Sequence, residues 1–277
     1  MNRIIKAIAA CGLSLAVVSG PAAASGAKVE NAEDYAFSFE GPFGTFDRAQ
    51  LRRGWQVYKE VCAACHSLKY IRFRNLAEPG GPQLDKKTVK AIAAEYSVKD
   101  GPNDEGEMFE RPARPSDAIP SPFPNEQAAK AANNGAAPPD LSLITKAREG
   151  WWYPWYLSPI LKLVNGNGGP EYVRSLLMGY KPAPHGEEKE GLHYNPYFKG
   201  HWIAMPPPLS DDAVEYADGT RATVEQMATD VAAFLAWAAM PKMEERKRVG
   251  LMVLLYMGLF ALLMLLVKTV IWHRVKH

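Results

Sequence analysis

The sequence has 277 residues but only three cysteines, and its charge is almost balanced, with 32 basic against 30 acidic residues. So few cysteines exclude a small secreted scaffold held by disulfides, in which cysteine density substitutes for core size. A net charge of +2 lacks the strongly basic face of a nucleic-acid-binding protein. The sequence also lacks internal repeats and alternating strand patterns longer than a few residues. These absences favour a mainly helical protein that binds no nucleic acid.

Acidic residues are also missing from the N-terminal region, which has the pattern of a secretory signal. Arg3 and Lys6 precede an apolar run over residues 7–18, and three alanines before Ser25 form a small-residue cleavage site. The run is shorter than the roughly 20 residues that cross a bilayer, which disfavours a transmembrane helix. Cys11 lies too early for a lipoprotein signal. We expect residues 1–24 to be a cleaved signal peptide that takes Cys11 with it.

The C-terminal region lacks charge over residues 249–267. At about 1.5 Å rise per residue this run matches the hydrocarbon core of a bilayer, and it predicts a membrane-spanning helix rather than a buried core helix. Residues 242–248 form a charged, membrane-proximal collar, and residues 268–277 a basic tail. Because the signal exports the bulk of the chain, we expect a single-pass protein of a bacterial inner (or intracytoplasmic) membrane. Residues 25–241 would be periplasmic and the tail cytoplasmic.

The exported part is acidic, since residues 25–241 hold 23 basic and 28 acidic residues. Such a surface would steer a basic partner and make its association sensitive to salt. The candidate acidic patches are Asp104/Glu105/Glu107, Glu187/Glu188/Glu190 and Asp211/Asp212/Glu215.

Apolar residues at helical spacing predict four helices in the exported part, over residues 48–62, 86–96, 172–178 and 224–240. Asp47 with Gln50, and Thr223 with Gln226, have the spacing of capping boxes. Pro241 predicts a kink before the collar. Residues 78–139, rich in proline, glycine and charge, predict a long surface excursion rather than a separate core.

An unusual density of aromatic residues lies at 150–156, where three tryptophans and two tyrosines occur within seven residues. Such a cluster is typical of a partner or membrane-surface contact, and equally of a local aromatic mini-core. The sequence leaves both interpretations open.

The motif Cys62-Ala63-Ala64-Cys65-His66 carries the strongest functional signal. Two thiols three residues apart can reach the two vinyl groups of one haem, and the histidine that follows lies under the iron as its proximal ligand. A zinc site would need further ligands, and the exported part has no other cysteine. A thioredoxin-type dithiol would need a βαβ context, and a disulfide across two residues would be strained. We therefore predict one covalently bound haem c.

The residue at the sixth position of the iron is marked less directly. Met205 is followed by three prolines, which stiffen an extended segment that could present the sulfur at a fixed height. Met178 and Met227 lie in predicted helices, where packing explains them. The pattern favours Met205. The other candidates are Met108, Met240, Met243, His185, His193 and His201.

Several further motifs accompany the haem-attachment sequence. They are RRGWQVYKEVCAACHS (52–67), NGAAPPDLS (134–142), EYV (171–173), NPYF (195–198) and IAMPP (203–207). With the single C-terminal anchor, they span nearly the whole mature chain and strongly resemble the cytochrome c1 family, the haem subunit of the cytochrome bc1 complex. The export signal points to a bacterial, α-proteobacterial member.

The resemblance implies a mainly α fold, with a cytochrome c-type haem domain that has long loop insertions and one C-terminal transmembrane helix. It implies thioether attachment of the haem at Cys62 and Cys65, and axial ligation of the iron by His66 and Met205. The sequence positions of these four residues match the family motifs.

The same resemblance implies a set of residues around the haem. Arg148 would neutralise a propionate, Tyr172 would lie beside a propionate or the haem edge, and Pro138 and Pro139 would form part of the haem wall. In shorter family members, the segment after Ala-Arg runs directly into Gly-Gly and the tyrosine. Here residues 149–167 intervene, so the match of Arg148 to the family pattern is weaker than that of the four ligand and attachment residues.

In function, the resemblance implies an electron-transfer subunit of ubiquinol–cytochrome c reductase that performs no bond chemistry of its own. It would accept one electron from the Rieske iron–sulfur protein, deliver it to a soluble cytochrome c, and assemble with cytochrome b, with quinol oxidised in a partner subunit. A haem enzyme or gas sensor would instead need an open sixth position on the iron. A stand-alone anchored c-type carrier is the third alternative.

Overall fold

The computed structural model describes residues 29–148, 150–151, 154–184 and 187–274. The predicted signal peptide (1–24) lies outside the described residues, as do Trp152, Tyr153 and the ligand candidate His185.

The described chain is mainly helical, as predicted. In chain order its elements are α1 (Arg48–Glu60), α2 (Lys86–Ala94), β1 (Ser97–Asp100), β2 (Phe109–Pro112), α3 (Glu126–Ala132), α4 (Ile144–Ala147), α5 (Ser158–Asn165), α6 (Gly169–Met178), β3 (His193–Tyr194), β4 (Trp202–Ile203), α7 (Val224–Ala239) and α8 (Met243–Trp272). Two 3-10 helices span Cys62–Ala64 and Phe73–Ala77. The strands form two short antiparallel pairs, β1 with β2 and β3 with β4.

Helix α1 begins where the sequence predicts, because the Asp47 carboxylate accepts hydrogen bonds from the first free backbone N–H groups of the helix. Its predicted apolar stripe is buried, with Leu51, Trp55 and Tyr58 in the core. The helix ends at Glu60 rather than Cys62. The tighter 3-10 turn that follows carries Cys62 itself.

Helix α7 is buried on almost every side and crosses α1 at Gly54. A Cβ atom at Gly54 would lie 2.1 Å from the carbonyl oxygen of Asp230, so only glycine allows this close approach. Thr223 caps the helix as predicted. The capping box is incomplete, however, because the Gln226 side chain donates to the Asp230 carboxylate. Asp230 is buried and also pairs with Arg53 at 2.9 Å.

The prediction of a surface excursion over residues 78–139 is wrong in part. This segment contains α2, the β1–β2 hairpin and α3. Its apolar residues Val89, Ala93, Ala113 and Ile119 are buried in the same cluster as the residues of α1 and α7. The segment therefore completes the main core, because single apolar side chains spaced between loop residues contribute to a core without a long periodic pattern.

The break predicted at Pro241 is present between α7 and α8. Helix α8 has thirty residues and, within the described part of the chain, it alone is long and apolar enough to cross a membrane. Its first turns are fixed to the domain, since Glu244 pairs with Arg48 at 2.6 Å. Lys247 donates to the carbonyl oxygens of Phe39 and Gly44 at 2.7 and 3.0 Å. The collar is thus the start of one continuous helix.

Candidate haem-binding site

The attachment motif lies in the tight turn that follows α1. The backbone N–H groups of Cys65 and His66 both donate to the Cys62 carbonyl, at 3.1 and 2.9 Å, which folds the five residues back on themselves. Both thiols are free and both residues are half-buried. Burial, with a smaller effect of Cys65, raises the pKa of the Cys62 thiol to about 12. The turn therefore holds the two thiols and the imidazole within five consecutive residues.

The ring of His66 is held by a backbone carbonyl from a distant part of the chain. Its Nδ1 lies 2.8 Å from the Pro139 oxygen. Since a carbonyl only accepts, Nδ1 carries the proton and Nε2 keeps its lone pair for a metal. Burial lowers the pKa of His66, opposed by the Pro139 hydrogen bond and by Asp140, and so favours the neutral ring that a metal ligand requires.

Asp140 fixes the segment that carries the Pro139 carbonyl. Its carboxylate accepts from the Ser67 hydroxyl at 2.7 Å and from the backbone N–H groups of Lys69 and Ser142 at 3.0 and 2.9 Å. Burial opposes ionisation of Asp140, but these hydrogen bonds outweigh it and lower the pKa. The sequence analysis did not single out Asp140, although it lies within the motif at 134–142. Asp140 follows Pro139 and binds Ser67 and Lys69, which follow His66, so it stabilises the contact between His66 and Pro139.

The chemistry of this donor set fits a haem c. Two unpaired thiols and an imidazole with a free Nε2 are the groups that attach and ligate such a haem. Within the residues that the structure describes, no group of three or more His, Cys, Asp or Glu residues is placed to hold a metal ion.

Met205 follows β4 and is half-buried at the start of the proline segment. Its carbonyl accepts a hydrogen bond from the Tyr180 hydroxyl at 3.1 Å. Burial, with a smaller effect of Tyr172, raises the pKa of Tyr180, which keeps that hydroxyl protonated as a donor. A side chain that the sequence analysis did not identify thus fixes the backbone of the favoured ligand candidate.

Packing accounts for Met178, Met227 and Met243 but not for Met108. Met227 and Met243 are buried in the core, Met178 packs against it, and Met108 is exposed between β1 and β2. The sulfur of Met240 accepts from Arg246.

Of the described histidine candidates, His201 remains a competitor of Met205. His193 lies in β3. The ring of His201 packs edge-on against Tyr194, and its Nε2 is buried with no hydrogen-bond partner in the structure. A buried lone pair without a partner is a possible metal ligand. His201 lies four residues before Met205, so the two candidates flank the two-residue strand β4.

The structure brings Arg148 and Tyr172 together. Arg148 ends α4, and its guanidinium is hydrogen-bonded to the Tyr172 hydroxyl. Burial raises the pKa of Tyr172, and Arg148 partly offsets this rise. Tyr172 also contributes to the raised pKa of Tyr180, the donor to the Met205 carbonyl.

The segment between Arg148 and α6, residues 149–167 (the insert), leaves the domain and returns to the same point. The N–H of Gly150 donates to the Asn167 carbonyl at 3.1 Å, and the Asn167 amide donates to the Thr145 carbonyl at 3.1 Å. The insert therefore keeps Arg148 beside the start of α6. Of the two predicted wall residues, Pro138 is half-buried and Pro139 is exposed, with its carbonyl on the His66 ring.

Comparison with known proteins identifies the family of the chain. The model of the "Cytochrome C1 family" matches residues 37–275. "Cytochrome c1" of Rhodospirillum rubrum is 43% identical over the full length of both chains. "Cytochrome c1 1, heme protein, mitochondrial" of Arabidopsis thaliana is 48% identical over 88% of this chain and 71% of its own.

A longer relative carries a double name. "Cytochrome b/c1" of Bradyrhizobium diazoefficiens is 56% identical over 239 residues, which are 85% of this chain and 35% of that protein. This chain thus spans about a third of that relative's length. With a family model that matches most of its length, the chain belongs to the cytochrome c1 family, the haem subunit of the bc1 complex.

Proposed function

We propose that the chain is the electron-transfer subunit of a ubiquinol–cytochrome c reductase, which takes one electron from the Rieske iron–sulfur protein and passes it to a soluble periplasmic cytochrome c. The observation that carries the proposal is the His66 ring. Its Nδ1 is fixed by Pro139, which leaves Nε2 free beside two free thiols. The chain itself performs no bond chemistry, and quinol oxidation belongs to a partner subunit.

Four residues would hold one haem c, Cys62 and Cys65 through thioethers, and His66 and Met205 as axial ligands. When bound, this group supplies a one-electron redox centre. His66 would give a neutral imidazole in a fixed orientation, and the prolines after Met205 would restrict the position of its side chain. A thioether ligand stabilises the reduced iron relative to a second imidazole and so raises the reduction potential.

Arg148 and Tyr172 would face the propionates. The guanidinium of Arg148 is exposed and already hydrogen-bonded to Tyr172, so the two donors could bind one carboxylate together. Pro138 and Pro139 would cover the haem near His66. Their rigid rings have no N–H group to leave unsatisfied in an apolar wall.

The organisation that we propose places the domain of residues 25–241 in the periplasm after removal of the signal peptide. Residues 249–267 within α8 would cross the membrane, residues 242–248 would form the charged collar at its surface, and residues 268–277 would lie in the cytoplasm. The exposed apolar side chains along α8 support this organisation, since they would be unfavourable in water.

The partners would be cytochrome b and the Rieske protein within the membrane complex, and a basic cytochrome c outside it. The double name of the Bradyrhizobium relative supports the first of these. For the last, all nine residues of the three acidic patches are exposed. The domain therefore offers negative charge to a positively charged carrier.

Co-purification tests this proposal. The native membrane is solubilised in mild detergent, the complex is purified through a tag on this chain, and b-type and c-type haem are measured by their reduced difference spectra. We expect both haem types in the eluate. Purification of the intact chain with c-type haem and no b-type haem would contradict the assignment to a reductase complex and would favour a stand-alone carrier.

A further inference from the structure

The insert exposes an apolar surface that the proposed electron transfer does not explain. Its side chains Trp155, Tyr156, Leu157 and Ile160 are 86, 63, 41 and 62% exposed. They lie at the start of α5 and in the residues before it. We call these four residues the apolar face of the insert. Large aromatic and aliphatic side chains exposed together mark a surface that contacts a partner or a membrane.

The packing of α6 on α7 shows from which end of the domain the insert emerges. Gly169, at the start of α6, lies against the Thr145 carbonyl, and the Thr145 hydroxyl donates to Leu235 near the end of α7. Arg174, further along α6, contacts Thr229 and Glu225 near the start of α7 at 3.0 and 2.7 Å. The two helices are therefore antiparallel. Since α7 leads into α8, α6 begins at the end of the domain that is nearest to α8.

A second set of contacts gives the same result. Glu171, in the first turn of α6, lies close enough to Glu40 for the two carboxyl groups to interact. The neighbouring carbonyl of Phe39 accepts from Lys247, two residues before the uncharged run of α8 begins. The insert is joined to the first turn of α6 through Asn167. Its base is thus close to the point at which α8 would enter the membrane.

The charge of the insert differs from that of the domain that carries it. Residues 149–167 contain one acidic residue, Glu149 at the first position, and one basic residue, Lys162, so the insert carries no net charge. An acidic domain would otherwise be repelled by anionic lipid headgroups. A segment that combines Trp and Tyr with aliphatic residues and carries no net charge has the composition of a membrane-interface contact.

We infer that the apolar face of the insert lies in the membrane–water interface and contacts lipid. This inference rests on the proposal that α8 crosses the bilayer, and it does not depend on the electron-transfer partners. The haem domain would then meet the membrane at two places, the collar of α8 and the insert. Two contacts would restrict rotation of the domain about α8.

Spin labels in the full-length, haem-loaded chain test the inference. A cysteine is introduced at Tyr156 or Ile160 (Tyr156→Cys, Ile160→Cys) in a Cys11→Ser background, labelled, and reconstituted alone into lipid nanodiscs with the haem reduced. Asn165→Cys is the matched control, because Asn165 is exposed on the same helix, about 140° around it from Ile160. Accessibility to dissolved oxygen, which concentrates in lipid, is compared with accessibility to a water-soluble nickel chelate.

We expect the ratio of oxygen to nickel accessibility to be several-fold higher at positions 156 and 160 than at position 165. Equal ratios at the three positions would overturn the inference. Protection of positions 156 and 160 only when the other subunits of the complex are present would also overturn it, because a protein would then cover the face. The proposed function is tested separately by the haem spectrum and by retention of the chain in the nanodisc. If both are unchanged, the proposed function stands whatever the accessibility ratios show. Loss of the haem spectrum or of retention would contradict the proposed function rather than the lipid contact.

Discussion

Single residues tune the redox properties of a haem. Residues 201–205 include two candidates for the sixth ligand of the iron, His201 and Met205. We propose Met205, whose backbone is held by Tyr180, over His201, whose Nε2 is buried without a hydrogen-bond partner in the described structure. Met205→Leu should lower the reduction potential and abolish the near-infrared band of Met-ligated ferric haem. His201→Gln is the control and should leave the band in place. If the wild-type protein lacked this band, and His201→Gln rather than Met205→Leu changed the reduction potential, the role would pass to His201.

Glu171 makes stability depend on pH. Burial, with the hydrogen bond and charge of Glu40, raises the pKa of this carboxyl from 4.5 to about 9. Between these values the folded chain keeps a proton that the unfolded chain has released, so stability falls as pH rises. Glu171→Gln should remove most of this slope and stabilise the protein by about 1–3 kcal/mol at pH 8, with a smaller effect at pH 5. Urea unfolding at both pH values measures it, and parallel pH dependences of variant and wild type would contradict it.

At the scale of secondary structure elements, the crossing of α1 and α7 holds the attachment motif in place, since the motif directly follows α1. Gly54→Ala would put a Cβ atom 2.1 Å from the Asp230 carbonyl and 2.6 Å from the Phe234 Cβ, and both helices would have to separate. We expect a loss of about 3 kcal/mol or more in the free energy of unfolding.

Gly258→Ala is the matched control for this change, because an added Cβ there meets nothing within 4 Å. It should leave stability unchanged or slightly raise it, as alanine favours a helix over glycine. Thermal unfolding followed by circular dichroism compares the two variants. Equal midpoints for both would show that the α1–α7 crossing tolerates expansion.

The sequence predicts the elements that have a strong apolar period and misses those that depend on distant contacts. Helices α1 and α7 are predicted nearly to the residue, because capping and apolar spacing are local properties. The helix of the insert, α5, is not predicted, since aromatic residues and prolines obscure its short pattern. The Gln226 side chain donates to Asp230, which also pairs with Arg53 of α1. Because Arg53 lies on another helix, the spacing of residues around Gln226 does not predict this contact.

The candidate site also has residues that the sequence predicts and contacts that it does not. The thiols and His66 are evident from one contiguous motif, which also orders them along the turn after α1. The bond from His66 to Pro139 joins residues 73 positions apart, and the bond from Tyr180 to Met205 joins residues 25 apart. Neither can be read from spacing. Family resemblance supplies the positions of Arg148 and Tyr172, and the structure adds that they touch each other.

At the scale of the whole molecule, the two ends of the chain differ in charge from the domain between them, residues 25–241. With 28 acidic and 23 basic residues in positions 25–241, association with a basic cytochrome c should be accelerated at low salt. We expect its rate constant to fall on the order of tenfold as ionic strength rises from about 10 to about 150 mM. Stopped-flow oxidation of the reduced complex measures this rate. A rate that does not change with salt would contradict electrostatic steering.

Reversing the charge of one patch at a time locates the docking surface. Of the three variants, Asp104/Glu105/Glu107→Lys, Glu187/Glu188/Glu190→Lys and Asp211/Asp212/Glu215→Lys, the one at the docking site should slow association most and flatten its salt dependence. The other two serve as controls for the change in net charge. Equal effects of all three would show that net charge rather than one patch steers the partner.

The mass of the purified, denatured chain tests the central claim most directly, because it reports the covalent cofactor and the processing of the chain together. We predict the mass of residues 25–277 plus one haem that extraction with acidified acetone does not remove. A mass without haem after that extraction would contradict covalent attachment at Cys62 and Cys65, and with it the proposed role of the chain as a c-type electron carrier.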